Sequence, residues 1–172
     1  MDTPVKPFGL HQVVLTPTTG SPVALPVDRV LKFKERTING ELSGSDSIAA
    51  VASFARAVDW ELEAGGLPLE AYALMTGRTM TTSGSTPNTI KTLEGAGGDR
   101  FPYFKIEGRS LGVEDDDVHI VIYKAKVLDG LEGSFQDGQF LVSGVKGTGV
   151  NGSTGKAWAL VNNETAATIA ES

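Results

Sequence analysis

The sequence contains no cysteine and only two histidines, His11 and His119. Without cysteine the chain can form neither disulfides nor thiolate metal sites, and two histidines are too few for a histidine cluster that holds zinc. The first ten residues lack the apolar run of a signal peptide, so we expect the chain to fold in a cytosol. Apolar runs are far shorter than the ~20 residues that span a bilayer, and no membrane binding is predicted.

A surplus of basic residues is also missing. Lysine and arginine total 15 against 21 aspartates and glutamates, which gives a net charge of -6. Because proteins that hold nucleic acid need a clustered positive field, this balance disfavours such a task. With 172 residues and 40% hydrophobic content, the chain is predicted to form one globular domain that buries roughly 70% of its unfolded surface.

Glycine and proline, by contrast, are frequent, and 21 glycines and 8 prolines divide the chain into short segments. Most segments alternate apolar and polar residues with period two, which predicts an antiparallel β protein. VHIVIYKAKV, apolar on both faces, is predicted as a central strand. Other strand candidates are HQVVLTP, VLKFKERT and FPYFKIEGRS. Tight turns are predicted at four dipeptides, the third within a hairpin: Asn39-Gly40, Asp129-Gly130, Asp137-Gly138 and Asn151-Gly152.

One helix is predicted, from Pro68 to Thr76, with proline at its permitted first position and Gly77 as its stop. Its residues are almost all apolar, so we expect it to be covered on more than one side. SIAAVASFARAV fits both a helical stripe and an alternating strand, and its period favours a helix for 47–55. Residues 78–99 are predicted to form a long loop with at most one short strand, and 161–172 a loose tail.

Sequence motifs for catalysis match poorly. GTGVNG has the spacing of a dinucleotide-binding loop, and GRSLG that of a nucleophile elbow, but neither is followed by the predicted helix that these motifs need. EDDD at 114–117 lacks the spaced ligands of a calcium loop and is predicted to be a solvated hairpin tip. The chain is therefore predicted not to be an enzyme and to use no cofactor or metal.

Three carboxylates occupy alternate positions of VDWELEA: Asp59, Glu61 and Glu63. The residues between them are apolar, which predicts a strand with one buried and one acidic face. Two interpretations remain open, an ordinary exposed strand face and a negative surface that faces something which must not adhere.

The stretches VDWELEAGGLPLEAYALMTG, DRFPYFKIEGRSLGVEDDDVHIVIYKAKV and LEGSFQDGQFLVSG resemble the major tail tube proteins of bacteriophages with long, non-contractile tails. The resemblance implies a β-sandwich or partly open barrel with one flanking helix, whose strands join those of neighbouring subunits in a ring-shaped barrel. Homohexameric rings of such subunits stack into a tube that conducts DNA without binding it specifically. The implied partners are copies of the chain itself and the tape-measure, tail-tip and tail-terminator proteins.

The resemblance also implies roles for three groups of residues. The acidic strand face that lines the lumen is Asp59, Glu61 and Glu63. A ring-stacking loop spans 35–47 and includes Thr37, Ile38, Asn39, Gly40, Glu41 and Leu42. The helix residues that pack against a neighbouring subunit are Leu69, Tyr72, Ala73 and Met75. The tube domain spans 10–160 and follows an N-terminal arm, 1–9. The resemblance also makes a strand the better interpretation for 57–64.

The expected function is that of a structural virion protein, assembled in the host cytoplasm and located in the virion tail. Two alternatives stay open: the tube protein of a contractile tail or secretion apparatus, and a monomeric β-sandwich binding module, for instance for carbohydrate. The binding module predicts exposed aromatic side chains on a concave face, for which the chain offers two tryptophans, Trp60 and Trp158.

Overall fold

The chain folds into a mainly β structure with one short helix. The computed structural model describes residues 6–25, 28–43, 48–66, 68–133, 137 and 142–169. The strands are β1 (Gln12–Pro17), β2 (Val23–Ala24), β3 (Asp28–Ser43), β4 (Ile48–Gly65), β5 (Met80–Ser83), β6 (Ile90–Leu93), β7 (Phe104–Leu111), β8 (Asp117–Gly133), β9 (Val142–Gly149) and β10 (Trp158–Asn163). The helix, α1, is Leu69–Thr76.

One large antiparallel sheet has the strand order β2-β1-β7-β8-β9-β4-β3. β8 lies at its centre because its first part pairs with β7 on one side and β10 on the other, while its second part pairs with β9. The predicted central strand VHIVIYKAKV is therefore confirmed. β5 and β6 form a separate two-stranded ribbon.

The large sheet curls so that β3 returns toward the middle of the sheet. Leu31 of β3 lies over Gly108 of β7, and the ring centroids of Phe33 in β3 and Trp158 in β10 are 6.3 Å apart. Among the described residues, no backbone pairing closes β3 onto β7 or β10. Apolar side chains of β1, β4, β7, β8, β9 and α1 fill the interior of the curl. The predicted class, an antiparallel β-sandwich or partly open barrel with one flanking helix, is confirmed as a mainly β fold whose large antiparallel sheet is not closed; the joining of strands into a ring-shaped barrel between subunits stays a prediction.

α1 lies where the sequence predicts it, except that it begins one residue later: Pro68 is its extended N-cap and not its first helical residue. It ends at Gly77, whose φ of 69° is left-handed, a conformation that glycine adopts without a steric penalty. One side of α1 packs on the large sheet, and the β5–β6 ribbon contacts another side, where Lys91 forms an ion pair with Glu70. The chain's own ribbon thus provides a second cover for an almost wholly apolar helix.

One residue of the predicted subunit-packing helix face must be corrected. Met75 is fully buried in the subunit's own core, so it cannot contact a neighbouring subunit. Leu69, Tyr72 and Ala73 remain partly exposed, and their packing against a neighbour stays a prediction.

β3 and β4 form one long hairpin, which corrects three predictions. Residues 37–42 are strand and not loop, and Asn39-Gly40 pairs with Ser53 and Ala52 and forms no turn. Residues 48–55 are strand, so the helix that their period favours is wrong there; Ser47 and the turn of the hairpin lie outside the described residues. The physical reason is that the backbone N–H and C=O groups of each strand form hydrogen bonds with the other strand. Local periodicity carries no information about this distant partner.

Three further predictions are corrected. Asp129-Gly130 lies inside β8 at an irregularity of its pairing with β9, and not at a turn. The loop 78–99 contains the two strands of the ribbon. The C-terminal tail is attached, since β10 continues to Asn163 and the N–H of Ala166 donates to the carbonyl of Asp115.

The two remaining turn predictions are not confirmed at their dipeptides. β8 and β9 pair antiparallel as far as Gly133 and Ser143, as the predicted hairpin requires, but Gly138 of Asp137-Gly138 lies outside the described residues, and the turn there stays a prediction. Asn151-Gly152 lies in the loop between β9 and β10, but the turn comes two residues later than predicted: the N–H of Gly155 donates to the carbonyl of Gly152 over 3.1 Å, and the positive φ of 76° belongs to Gly155.

At Gly147 of β9, the backbone of β8 and the ring of Trp60 leave no room for a side chain. We therefore expect Gly147→Ala to destabilise the subunit by about 1–3 kcal/mol. A Cβ atom there would overlap the carbonyl oxygen of Lys126 and lie 2.5 Å from Cζ2 of Trp60. Gly144, on the same strand, has open space at its Cβ position, so Gly144→Ala is the matched control. Urea unfolding of both variants checks the prediction, and equal midpoints would contradict it.

Candidate functional site

The base of the β3–β4 hairpin has one buried and one charged face. Val58, Trp60, Leu62 and Ala64 of β4 point into the core and are almost completely buried. Asp59, Glu61 and Glu63 lie on the opposite face and are partly exposed. The alternation predicted from the sequence is confirmed here.

The three carboxylates are not alone on this face. The strand register places basic residues of β3, β8 and β9 beside them: Asp59 lies opposite Lys34 and Thr148, while Glu61 lies opposite Lys32 and Lys146. Together, five basic and five acidic side chains make up what we call the charged ladder. Its members are Lys32, Lys34, Arg36, Asp59, Glu61, Glu63, Lys126, Asp129, Glu132 and Lys146.

Direct contacts join the members of the charged ladder around Glu61. The Nζ atoms of Lys32 and Lys146 each lie 3.4 Å from a carboxylate oxygen of Glu61, and Lys32 Nζ is 3.9 Å from Glu63 Oε1. Desolvation raises the pKa of Glu61, but hydrogen bonds and charge from the two lysines outweigh it, and the pKa lies below its usual value. Glu61 therefore stays ionised between two ammonium groups.

A second set of contacts surrounds Asp59. Arg36 donates from Nε to Asp59 Oδ2 over 3.1 Å and from its terminal nitrogen to Oδ1, while the Thr148 hydroxyl donates to Oδ1 over 2.8 Å. The Arg36 hydrogen bonds lower the pKa of Asp59, against the opposing effect of desolvation. The face is thus charge-balanced within one subunit, whereas the carboxylates alone suggest that it is negative.

The polarity of the hairpin changes beyond its base. A register irregularity lies between Arg36 and Thr37, where β4 contains one extra residue. On the face that continues the charged ladder, the outer part of the hairpin carries apolar residues and one glycine. These are Ile38, Gly40, Leu42, Ala50, Ala52 and Phe54, paired as Ile38 with Phe54, Gly40 with Ala52 and Leu42 with Ala50.

The opposite face of the outer hairpin is mixed. On β3 it carries Thr37, Asn39 and Glu41, and Ser53 of β4 donates to Asn39 Oδ1 over 2.6 Å, but Val51 of β4, opposite Glu41, is 64% exposed. The core face of the base therefore continues as a mixed face, and the charged face continues as an apolar face. We call the apolar one, defined by the six residues above, the distal apolar face.

The distal apolar face is uncovered in the single subunit. Ile38, Leu42 and Phe54 are 46%, 66% and 70% exposed. Isolated exposed apolar residues are ordinary, but a contiguous apolar strip on a projecting hairpin is typical of a surface that another protein covers.

Asp117 forms a buried network that the sequence analysis missed. Its side chain is completely buried and accepts hydrogen bonds from Arg109 Nε at 2.8 Å, Asn163 Nδ2 at 2.7 Å and the N–H of Ala167 at 2.7 Å. His119 Nε2 lies 3.1 Å from the same carboxylate. Burial raises the pKa of Asp117, but these hydrogen bonds outweigh it and lower the pKa to about 2. The prediction that 114–117 is a solvated tip is wrong for Asp117, and the charged string EDDD gives no local signal of this burial.

The remaining motif residues have structural partners. Ser110 of GRSLG lies in β7 and donates to the carbonyl of Gly9. Trp60 is buried, and Trp158 lies against Phe33 and donates from Nε1 to Glu35 Oε1 over 3.3 Å. Neither tryptophan forms the exposed aromatic platform that a carbohydrate-binding module predicts.

Searches of the described residues for two other kinds of site gave no candidate. They contain no group of three or more histidine, aspartate or glutamate side chains placed to hold a metal ion. No helix in the described part of the chain has the length and apolar character needed to cross a membrane.

Comparison with known proteins gives no assignment: no protein-family model matches the chain, and no curated protein matches it.

Proposed function

We propose that this chain is the structural subunit of a phage tail tube, in which homohexameric rings stack and DNA passes through the lumen. The observation that carries the proposal is the distal apolar face on a long hairpin that extends beyond the core. Burying an apolar side chain of this size contributes about 1.5–3 kcal/mol, so covering Ile38, Leu42 and Phe54 would favour assembly strongly. The occupant we propose is the adjacent ring of identical subunits.

The edges of the sheet support lateral association within a ring. Among the described residues, β3 pairs only with β4, so its outer edge is free over 16 residues. A long free edge presents unpaired N–H and C=O groups that invite pairing with another chain, and closure into a ring removes such edges. Pairing of β3 with a strand of the next subunit would extend the four-stranded surface that carries the charged ladder around the ring.

In this arrangement the charged ladder faces the lumen. Asp59, Glu61 and Glu63 keep their proposed place on the channel wall, but each lies among basic neighbours, so the wall is a balanced lattice of charges and not a uniformly negative surface. Phosphate affinity arises when protein cations replace counterions on DNA. Cations that already have carboxylate partners do this poorly, so the wall would let DNA slide.

Purified protein should form rings or hollow tubes of uniform width when it is concentrated. Negative-stain electron microscopy would show them, and sedimentation velocity would give the number of subunits in a ring. Because isolated subunits can await a nucleating tail tip, a monomeric result is followed by mixing the protein with tail-tip complexes. Protein that stays monomeric in both experiments would contradict the proposal.

A further inference from the structure

We propose that Asp59, Glu61 and Glu63 act as built-in counterions that mask a latent polyphosphate-binding surface formed by the basic residues of the charged ladder. The surface consists of Lys32, Lys34, Arg36, Lys126 and Lys146, on neighbouring strands of one sheet face. This inference rests on the proposed function in one respect, that the polyphosphate which meets the surface is double-stranded DNA.

The geometry around Glu61 shows how the masking works. Its carboxylate lies between Lys32 of β3 and Lys146 of β9, with both Nζ atoms at 3.4 Å. A phosphate that approached either ammonium would meet the Glu61 carboxylate beside it and be repelled by it. Because this carboxylate already neutralises the ammonium groups, the surface replaces few of the cations condensed on DNA, and the entropic gain that drives phosphate binding is small.

Asp59 masks the other end of the surface. It accepts hydrogen bonds from Arg36 and from Thr148, and its location opposite Lys34 puts a second cation nearby. An arginine can bind phosphate with two parallel hydrogen bonds. Here the Asp59 carboxylate occupies one such pair of donors, on Nε and one terminal nitrogen of Arg36, and the same terminal nitrogen also donates to Thr148 Oγ1 over 3.2 Å.

The surface is large enough and open enough to meet a polymer. Lys32, Lys34, Arg36 and Lys146 line an open groove of about 620 Å³ together with Asp59 and Glu61. Lys126 extends the basic set, and both Lys126 and its neighbour Lys124 lie within 5 Å of the Tyr103 ring centroid, at 4.9 and 4.6 Å. Removing Asp59, Glu61 and Glu63 would leave five basic groups on three strands against two carboxylates, Asp129 and Glu132 of β8, and so a net positive surface for a duplex backbone.

The test compares the variant Asp59→Asn/Glu61→Gln/Glu63→Gln with the wild type and with Glu94→Gln/Glu114→Gln/Glu164→Gln. The control residues are exposed and lie outside the charged ladder, and both variants remove the same three negative charges. Binding of a fluorescent 30-base-pair DNA duplex is followed by anisotropy over a range of salt concentrations, with protein that sedimentation shows to be unassembled.

We call Asp59→Asn/Glu61→Gln/Glu63→Gln the ladder variant. We expect it to bind the duplex at least tenfold more tightly than both the control and the wild type at low salt. Three unmasked cations should steepen the dependence of log K on log salt by about 2.7. Adding Lys32→Gln and Lys146→Gln to the ladder variant should remove most of the gain. Since Glu61 contacts both lysines, the single variant Glu61→Gln serves if the triple variant does not fold.

Any of three results would overturn the masking proposal: no increase in DNA affinity, an equal increase in the control, or an increase that persists after both lysines are replaced. None of these results bears on whether rings or tubes form, which electron microscopy decides separately. If tubes form and the variant binds DNA no more tightly, the proposed function stands and the masking proposal fails. If the variant specifically binds DNA more tightly but the protein never assembles, the masking proposal stands and the proposed function fails.

Discussion

Replacing Ile38 and Leu42 by glutamate is expected to prevent ring stacking while leaving the subunit folded. Both side chains lie on the distal apolar face, are 46% and 66% exposed and lie outside the core cluster, so the substitutions remove no core contact. In the assembled tube, however, each would place a carboxylate where an apolar side chain is buried. Losing two such side chains costs about 3 kcal/mol or more per contact, which raises the concentration needed for assembly more than 100-fold.

The matched control for this experiment is Thr37→Glu/Ser43→Glu. It adds two carboxylates to the same strand, but on the opposite face, where the residues of β3 are polar. Electron microscopy and sedimentation should show tubes for the control at wild-type concentrations and none for Ile38→Glu/Leu42→Glu, with similar circular dichroism for both. Normal tubes from Ile38→Glu/Leu42→Glu would mean that the distal apolar face is not the stacking surface.

The largest effect on stability is expected at Asp117. Asp117→Ala should lower the free energy of unfolding by roughly 3–5 kcal/mol, because it leaves the guanidinium of Arg109 buried without its carboxylate. Arg109 is itself 8% exposed, and the Nε to Oδ2 distance is 2.8 Å. The same substitution removes the acceptor for Asn163 and for the N–H of Ala167, so hydrogen exchange in the C-terminal segment should accelerate.

Urea unfolding measures the effect of Asp117→Ala, with Glu114→Gln as control for the loss of one acidic residue in the same turn. The double variant Asp117→Ala/Arg109→Met should be more stable than the sum of the two single variants implies, because it no longer buries an unpaired charge. A near-neutral Asp117→Ala would show that the network does not stabilise the fold.

The same carboxylate predicts the direction of acid sensitivity. Its pKa is about 2 in the folded chain against an ordinary 3.8, so folding favours the ionised form. The corresponding stability, roughly 2 kcal/mol, is fully present above about pH 4 and is lost as the pH falls toward 2. In Asp117→Asn this part of the pH dependence should be missing, whereas an identical acid profile in both proteins would contradict the assignment.

Local sequence patterns predicted the structure correctly wherever residues that are neighbours in sequence decide the conformation. The alternation around Trp60 predicted which side of β4 enters the core, and Gly77 predicted where α1 ends. Local sequence patterns gave wrong predictions where the conformation of a segment depends on a partner that is distant in the chain. Residues 48–55 have a helical period, yet they pair with β3, and Asn39-Gly40 is a turn dipeptide that lies inside a strand.

The candidate site was predicted in part for the same reason. One strand carries Asp59, Glu61 and Glu63, so the sequence shows their common face. Their cations come from β3 and from β9, and Lys146 is 85 positions from Glu61 in the chain. No local pattern pairs residues so far apart, because the pairing arises only when the curled sheet sets the register.

Local residue patterns predict the fold class, the two faces at the base of β4 and the helix α1, because period-two alternation and helix-end residues act over a few positions. Three other features appear only in the folded chain: the acidic face is balanced by basic residues, the charged face of the hairpin becomes apolar beyond Arg36, and Asp117 is buried. Each of these depends on strand register and burial, which bring together side chains that are distant in the chain and expose or hide them as a group.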